Sequence, residues 1–183
     1  MFSPGAISSR TVPTRDELTA ARATTEALTR QMVAAQEELD WYVYGLYDLL
    51  GGEDFTYPLD EVPPIALGER AFEIALARKI SRGEAESGWF VYTRSTPLTE
   101  LPAHWPDWYR NLVNRRIELI ETDRNVGLVE RPENKRRWSR APWEEMERAA
   151  LRDWLLERLE DRSLWFDGEF AVTRTVAQLA DRV

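Results

Sequence analysis

Apolar and small residues recur alternately three and four apart from Leu18 through Ala21, Thr25, Leu28, Met32, Ala35, Leu39, Tyr42 and Leu46 to Leu49. That spacing is the a/d seam of a helix, and no strand period fits it. Thr14 and Glu17 form a capping box at its start, and Gly51-Gly52 is a natural stop. At 1.5 Å per residue the seam is about 46 Å long, beyond an average globular helix. Its first half is small and polar (Ala20, Ala21, Ala23, Thr24, Thr25) and reads as projecting. Its second half, Leu39 to Leu50, is densely apolar and aromatic and reads as packed on the body of its own domain. The alternative is that Leu28, Met32, Leu39, Tyr42, Leu46 and Leu49 pair with a helix of a partner or of a larger parent protein.

With 183 residues, 43% of them apolar, and eight tryptophans, the chain can build a core of its own. A net charge of −8 and a pI of about 4.9 argue against coating nucleic acid with the whole surface. The charge is uneven: between Arg110 and Arg140 nine Arg or Lys face five Asp or Glu, a local +4 that leaves −12 elsewhere. The lack of cysteine excludes disulfides, thiolate metal sites and cysteine nucleophiles. No apolar run approaches the roughly 20 residues needed to span a bilayer, and the N-terminus lacks a signal-peptide core. A bacterial, cytoplasmic protein without membrane contact is expected, the 22 arginines against two lysines reflecting a GC-rich genome.

The expected fold is mainly α: a flexible leader over 1–13, a long helical arm over 14–52, and a helical C-terminal domain over 53–183 with a few short β-strands. Residues 53–67, with three prolines, read as an irregular wrap. Helices are predicted over 69–82 (Phe72, Ala75, Leu76, Ile80 inward), 107–123 (Trp108, Leu112, Ile117, Leu119, Ile120) and 142–160 (Trp143, Met146, Ala150, Trp154, Leu155). Trp89–Tyr92 and Val126–Val129 read as short strands, and Leu164–Phe166 with Phe170–Val172 as a hairpin. Thr175 onward opens like another helix.

Leu128 to Trp143, LVERPENKRRWSRAPW, concentrates Arg131, Lys135, Arg136, Arg137 and Arg140 beside Trp138 and Trp143. Each such cation can neutralise a phosphate, and Trp138 can stack on a base. The same arginines can equally tie a loop to acidic helices. Arg115 and Arg116 flank the cluster as further candidates for DNA contact. Catalytic signatures are sparse: there is no GxxxxGK[ST] or GxGxxG, and the single histidine, His104, reads as an ordinary loop residue. Pro106-Asp107 with Glu133-Asn134-Lys135 formally matches the PD…ExK pattern of metal-dependent nucleases, but no apolar strand aims those residues. No catalytic residue and no metal ligand is assigned.

LDWYVYGLYDLLG (39–51) resembles the LD-x-x-VY-x-LYGL helix near the C-terminal end of large adenine-specific DNA methyltransferases. PPIALGERAFEIALARKI (63–80), STPLTELPAHWPDWYRNLVNRRIELIETDRNVGLVERPENKRRW (95–138) and PWEEMERAALRDWLLERLED (142–161) resemble the C-terminal region of the PglX-type methyltransferases of BREX phage-defence systems. The likeness covers about residues 39–183 and is densest over 95–161. Leu46-Tyr47-Asp48-Leu49 departs from the family's LYGL. TRTVAQLAD (173–181) also matches, and in such proteins the chain is expected to continue.

The resemblance implies methyl transfer from S-adenosylmethionine to adenine N6 by a full-length parent. The glycine-rich donor site and the NPPY-type tetrapeptide that would do this are missing here; Val62-Pro63-Pro64-Ile65 keeps only the prolines. The implied role is a domain without catalysis or cofactor of its own, aiding DNA engagement or subunit docking. Its expected partners are DNA, the methyltransferase core or other phage-defence subunits. A pure protein-interaction module using the Leu18–Leu49 seam is the competing class, and a PD-ExK nuclease the third.

Overall fold

A computed structural model describes residues 3–9, 12–138, 141–167, 170–173, 175 and 177–178. The described residues are mainly helical: α1 (Pro4–Ser8), α2 (Arg15–Leu46), α3 (Ala71–Ser81), α4 (Trp89–Thr93), α5 (Asp107–Thr122), α6 (Arg124–Val129), α7 (Trp143–Glu160) and α8 (Arg162–Trp165). A 3-10 turn covers Pro132–Asn134, and β1 (Phe166–Asp167) pairs with β2 (Phe170–Thr173). The chain forms two compact units, one of Met1–Thr25 with Ala141–Val183, the other of Glu26–Arg140. No helix among the described residues is long and apolar enough to cross a membrane.

The capping box starts α2 as the sequence requires. Thr14 Oγ1 accepts the Glu17 N–H at 3.3 Å, and Glu17 Oε2 accepts the Thr14 N–H at 3.1 Å. The helix stops before the glycine pair. Asp48 takes a left-handed φ of 56°, the Leu49 N–H donates to the Tyr44 carbonyl at 3.0 Å, and the Asp48 N–H to that of Gly45 at 3.1 Å. This is a Schellman closure with aspartate in the position glycine usually fills, and it leaves Leu49 outside the helix.

The buried face of α2 is not the expected one. Val33, Ala34, Glu37, Trp41 and Tyr44 are buried; of the seam, Leu18 and Ala21 are buried and Leu49 is half-buried, whereas Leu28, Met32, Leu39, Tyr42 and Leu46 are exposed, from 43% at Leu28 to 67% at Leu46. The stretch Leu39 to Leu50 packs on its own body as expected, but through Trp41, Tyr44 and Leu50 and not through Leu39, Tyr42 and Leu46; the first half, expected to project, buries Leu18 and Ala21. Trp41 decides the rotation: it stacks on Phe55 at 5.5 Å, meets Tyr44 edge-on, and donates its indole N–H to Glu37 at 3.1 Å. Carboxylates accompany it inward because the core offers them partners.

Glu37 Oε1 also accepts the Ala71 N–H, at 3.2 Å, where α3 begins. Glu73 in α3 accepts the N–H groups of Gly68 and Arg70 and the Trp89 indole N–H, at 2.8, 3.1 and 2.9 Å. The two carboxylates satisfy backbone donors that the first turn of a helix leaves unpaired, at its positively polarised end. Helix α3 packs on α5, and α5 on α6, around Phe72, Ile74, Tyr109, Val113 and Ile117.

Two expected strands are helices. Trp89, Phe90 and Thr93 are buried while Val91 and Tyr92 are exposed, and Thr93 Oγ1 donates to the Trp89 carbonyl at 2.9 Å. That is the footprint of a helical turn, α4; a run of four apolar residues does not distinguish the two periods. Val126–Val129 lies in α6, capped by Asp123, whose carboxylate accepts the Asn125 and Val126 N–H groups at 2.8 Å each. Gly127 permits its approach to α5: a Cβ there would stand 2.8 Å from the Ile120 carbonyl oxygen.

In the other unit, Pro4–Ser8 of the expected leader forms α1, which packs on α7. Trp143 and Ala150 of α7 are buried, but Leu155, expected inside, is exposed. Of the expected hairpin, Leu164 and Trp165 lie in α8 instead, and only Phe166–Asp167 pairs with Phe170–Thr173, Phe166 opposite Thr173; Gly168 lies outside the described residues. Thr175 and Gln178 exchange cap hydrogen bonds, as at a helix start.

Candidate functional site

The basic segment divides into buried and exposed halves. Lys135 is buried: its Nζ donates to Glu130 at 2.5 Å, to Asp40 at 2.8 Å and to the Tyr44 hydroxyl at 3.0 Å. Burial pulls the ammonium pKa down, but the carboxylates of Glu130, Glu37 and Asp40 override this and hold it above the ordinary range. Burial pushes Glu130 up to about 7 against the pull of Lys135. With three acceptors around Nζ, the ammonium is the stable charge and Glu130 the member that titrates.

Arg116 is buried as well. It donates to Glu38 at 2.7 Å and to the Phe55 carbonyl at 2.5 and 3.0 Å, 5.1 Å from the Trp41 ring. Arg115 is exposed but paired with Glu53 at 2.9 Å. Lys135 and Arg116 are thus corrected from DNA-contact candidates to members of the core; the acidic face of α2 outcompetes solvent for both. Arg140 lies outside the described residues.

What remains is a pair of stacks. The Arg136 guanidinium sits 4.4 Å from the Trp138 ring, and the Arg137 guanidinium 5.3 Å from the Tyr92 ring. Trp138 is half-buried against the core, and the Arg136 carbonyl accepts from Arg70 at 3.4 Å, so the strand of chain carrying both arginines is anchored. A guanidinium stacked on a ring keeps its in-plane donors free. Arg131, Arg136 and Arg137 are exposed, and none forms an ion pair with a described residue.

Two cavities adjoin them. One of about 580 Å³ has Phe72, Leu76 and Ile120 in its lining, with Lys79, Arg124 and Arg131 set among the carboxylates of Glu86, Glu121, Asp123, Glu130 and Glu133. The other, about 410 Å³, is lined by Trp89, Tyr92 and Arg137 and shares Glu86, Ser87, Pro132 and Glu133 with the first. Lys79, Arg124 and Tyr92 were missed in the sequence. Their only signal is a surface position, and the tertiary fold alone brings them beside residues 131–137.

The nuclease pattern does not assemble. Lys135 is turned to Glu130 inside the core, Asp107 is held by Arg110 at 3.7 Å, and Glu133 is exposed on the 3-10 turn. The described residues hold no group of three or more His, Asp or Glu suited to a metal. His104 is an exposed loop residue, edge-on to Trp105 at 6.3 Å.

This helical architecture, with its ion-paired core, belongs to the family described as a domain of unknown function, DUF7008, whose model matches residues 32–183. Within that class, the chain is 47% identical over 184 residues, 98% of its length, to the C-terminal region of a protein named adenine-specific methyltransferase PglX from Streptomyces coelicolor. The chain spans 15% of that relative's length. No solved structure matches it.

Proposed function

We propose that the chain is a non-catalytic C-terminal domain of an adenine-specific DNA methyltransferase, cytoplasmic and part of a BREX-type phage-defence system, and that it helps the enzyme engage DNA. The observation that carries this reading is the trio of exposed guanidiniums at Arg131, Arg136 and Arg137, which form no ion pair with a described residue, two of them held on aromatic rings. Groups so placed meet phosphates at little further cost in side-chain entropy, and each contact releases counterions. S-adenosylmethionine and the adenine-gripping motif belong, on this reading, to the part of the enzyme outside this chain. The relative's name supports the enzyme class, and the exposed arginines support the DNA role.

The test is fluorescence anisotropy of labelled duplex DNA titrated with the chain at low and moderate salt. Three phosphate contacts imply an affinity loss of about 40-fold between about 50 and 200 mM salt. Arg136→Ala with Arg137→Ala should abolish most of the binding at the lower salt. Absence of binding at either salt would overturn the DNA role and leave docking as the function of the domain.

A further inference from the structure

Between Leu28 and Leu46 the outer face of α2 has no partner among the described residues of the Glu26–Arg140 unit. Leu28, Met32, Leu39, Tyr42 and Leu46 lie within one stripe about 80° wide, centred about 180° from Glu37 and Trp41 on the helix wheel. The same helix is thus apolar on two opposite faces, and one body can bury only one of them. Five side chains exposed by 43–67% present on the order of 500 Å² of apolar surface, the size at which a monomer's largest patch is usually functional. The stripe itself carries no charge: Gln31, Gln36 and Val43 flank it, and the nearby Glu38 and Asp40 are drawn aside by Arg116 and Lys135.

We infer that this stripe is the seat of an apolar helix from the remainder of the methyltransferase polypeptide, so that α2 is sandwiched between the enzyme's body and this domain. The inference rests on the reading of the chain as part of a longer methyltransferase. The relative's match covers 15% of its length, so most of such an enzyme is covalently joined to this region. A tethered segment competes at an effective concentration in the mM range, which a free partner seldom reaches. A second copy of this chain has no such tether and brings its own charge of −8. A stripe without charge calls for an equally uncharged apolar face, and the 3–4 spacing of its knobs fits the holes of a helix.

Met32 and Tyr42 are built-in probes, because thioether and phenol are readily oxidised by hydroxyl radicals. The protein from its source is sized first, then footprinted beside the isolated chain at equal, sub-micromolar concentration. A longer polypeptide in which Met32 and Tyr42 lose their oxidation, at low and at high salt alike, is the expected result. Leu39→Glu should restore that oxidation in the long protein while leaving the isolated chain's circular dichroism and melting unchanged. A native protein of only 21.3 kDa would overturn the inference, as would equal oxidation in both forms. Protection that grows with the isolated chain's own concentration would also overturn it, in favour of a second copy. Loss of DNA binding in the anisotropy experiment leaves this outcome untouched, so the two readings fail separately.

Discussion

Lys135 and Glu130 show how one buried pair sets a pH dependence. In the unfolded chain Glu130 releases its proton near 4.5, and in the folded core near 7. Between those values the folded state binds more protons than the unfolded one, so raising the pH through this window lowers stability. Urea unfolding across that window should show this slope in the native protein and lose Glu130's share of it in Glu130→Gln. Lys135→Met should steepen it, because the ionised carboxylate is then buried without its cation, at a cost of about 3–5 kcal/mol at the upper end. An unchanged slope in both variants would mean that Glu130 stays ionised throughout. Tyr44 and Tyr109 sit in the same core, and burial pushes both phenols above their ordinary range.

At the scale of the element, α2 separates two faces that its sequence makes look alike. Trp41→Ala should cost about 3–5 kcal/mol, since it removes a fully buried ring, its stack on Phe55 and the donor to Glu37. Leu39→Glu, two residues away, should change the melting of the isolated chain by no more than about 0.5 kcal/mol, because that side chain faces solvent. Equal losses in the two variants would show that the seam is buried after all. The seam itself was legible at Leu28 to Leu46 as a period, but a period gives no direction. Glu37 and Glu38 argue in the sequence for the solvent side, and only the backbone N–H groups of Ala71 and Tyr57 and the guanidinium of Arg116 make the inward side affordable to them. The strands misread at Trp89–Tyr92 and Val126–Val129 fail for a related reason: four apolar residues are too few to show a period.

For the whole molecule, the balance of charge limits what the basic segment can do. The local +4 of the sequence is spent partly inside, on the pairs of Arg116 and Lys135, so the surface that meets an anion is narrower than the count of arginines implies. Arg131→Ala should therefore reduce the salt slope of DNA binding by about one, whereas Arg115→Ala, whose cation is already engaged by Glu53, should leave it unchanged. A uniform effect of both would point to the general field of the chain rather than to a built contact.

The sequence by itself determined the helical class, the capped start of α2 at Thr14, the helices at 71–81, 107–122 and 143–160, and the kinship with the C-terminal region of adenine-specific methyltransferases. These are local or linear properties: periodicity, caps and motif identity survive without knowledge of what packs where. The tertiary structure alone decided which face of α2 is buried, that Lys135 and Arg116 are core cations while Arg136 and Arg137 are exposed, and that Lys79, Arg124 and Tyr92 stand beside the basic segment. The physical reason is common to all three. Whether a charge or an apolar side chain goes inward depends on partners tens of residues away, 78 positions between Glu38 and Arg116 and 95 between Asp40 and Lys135, and those partners meet only when the chain has folded.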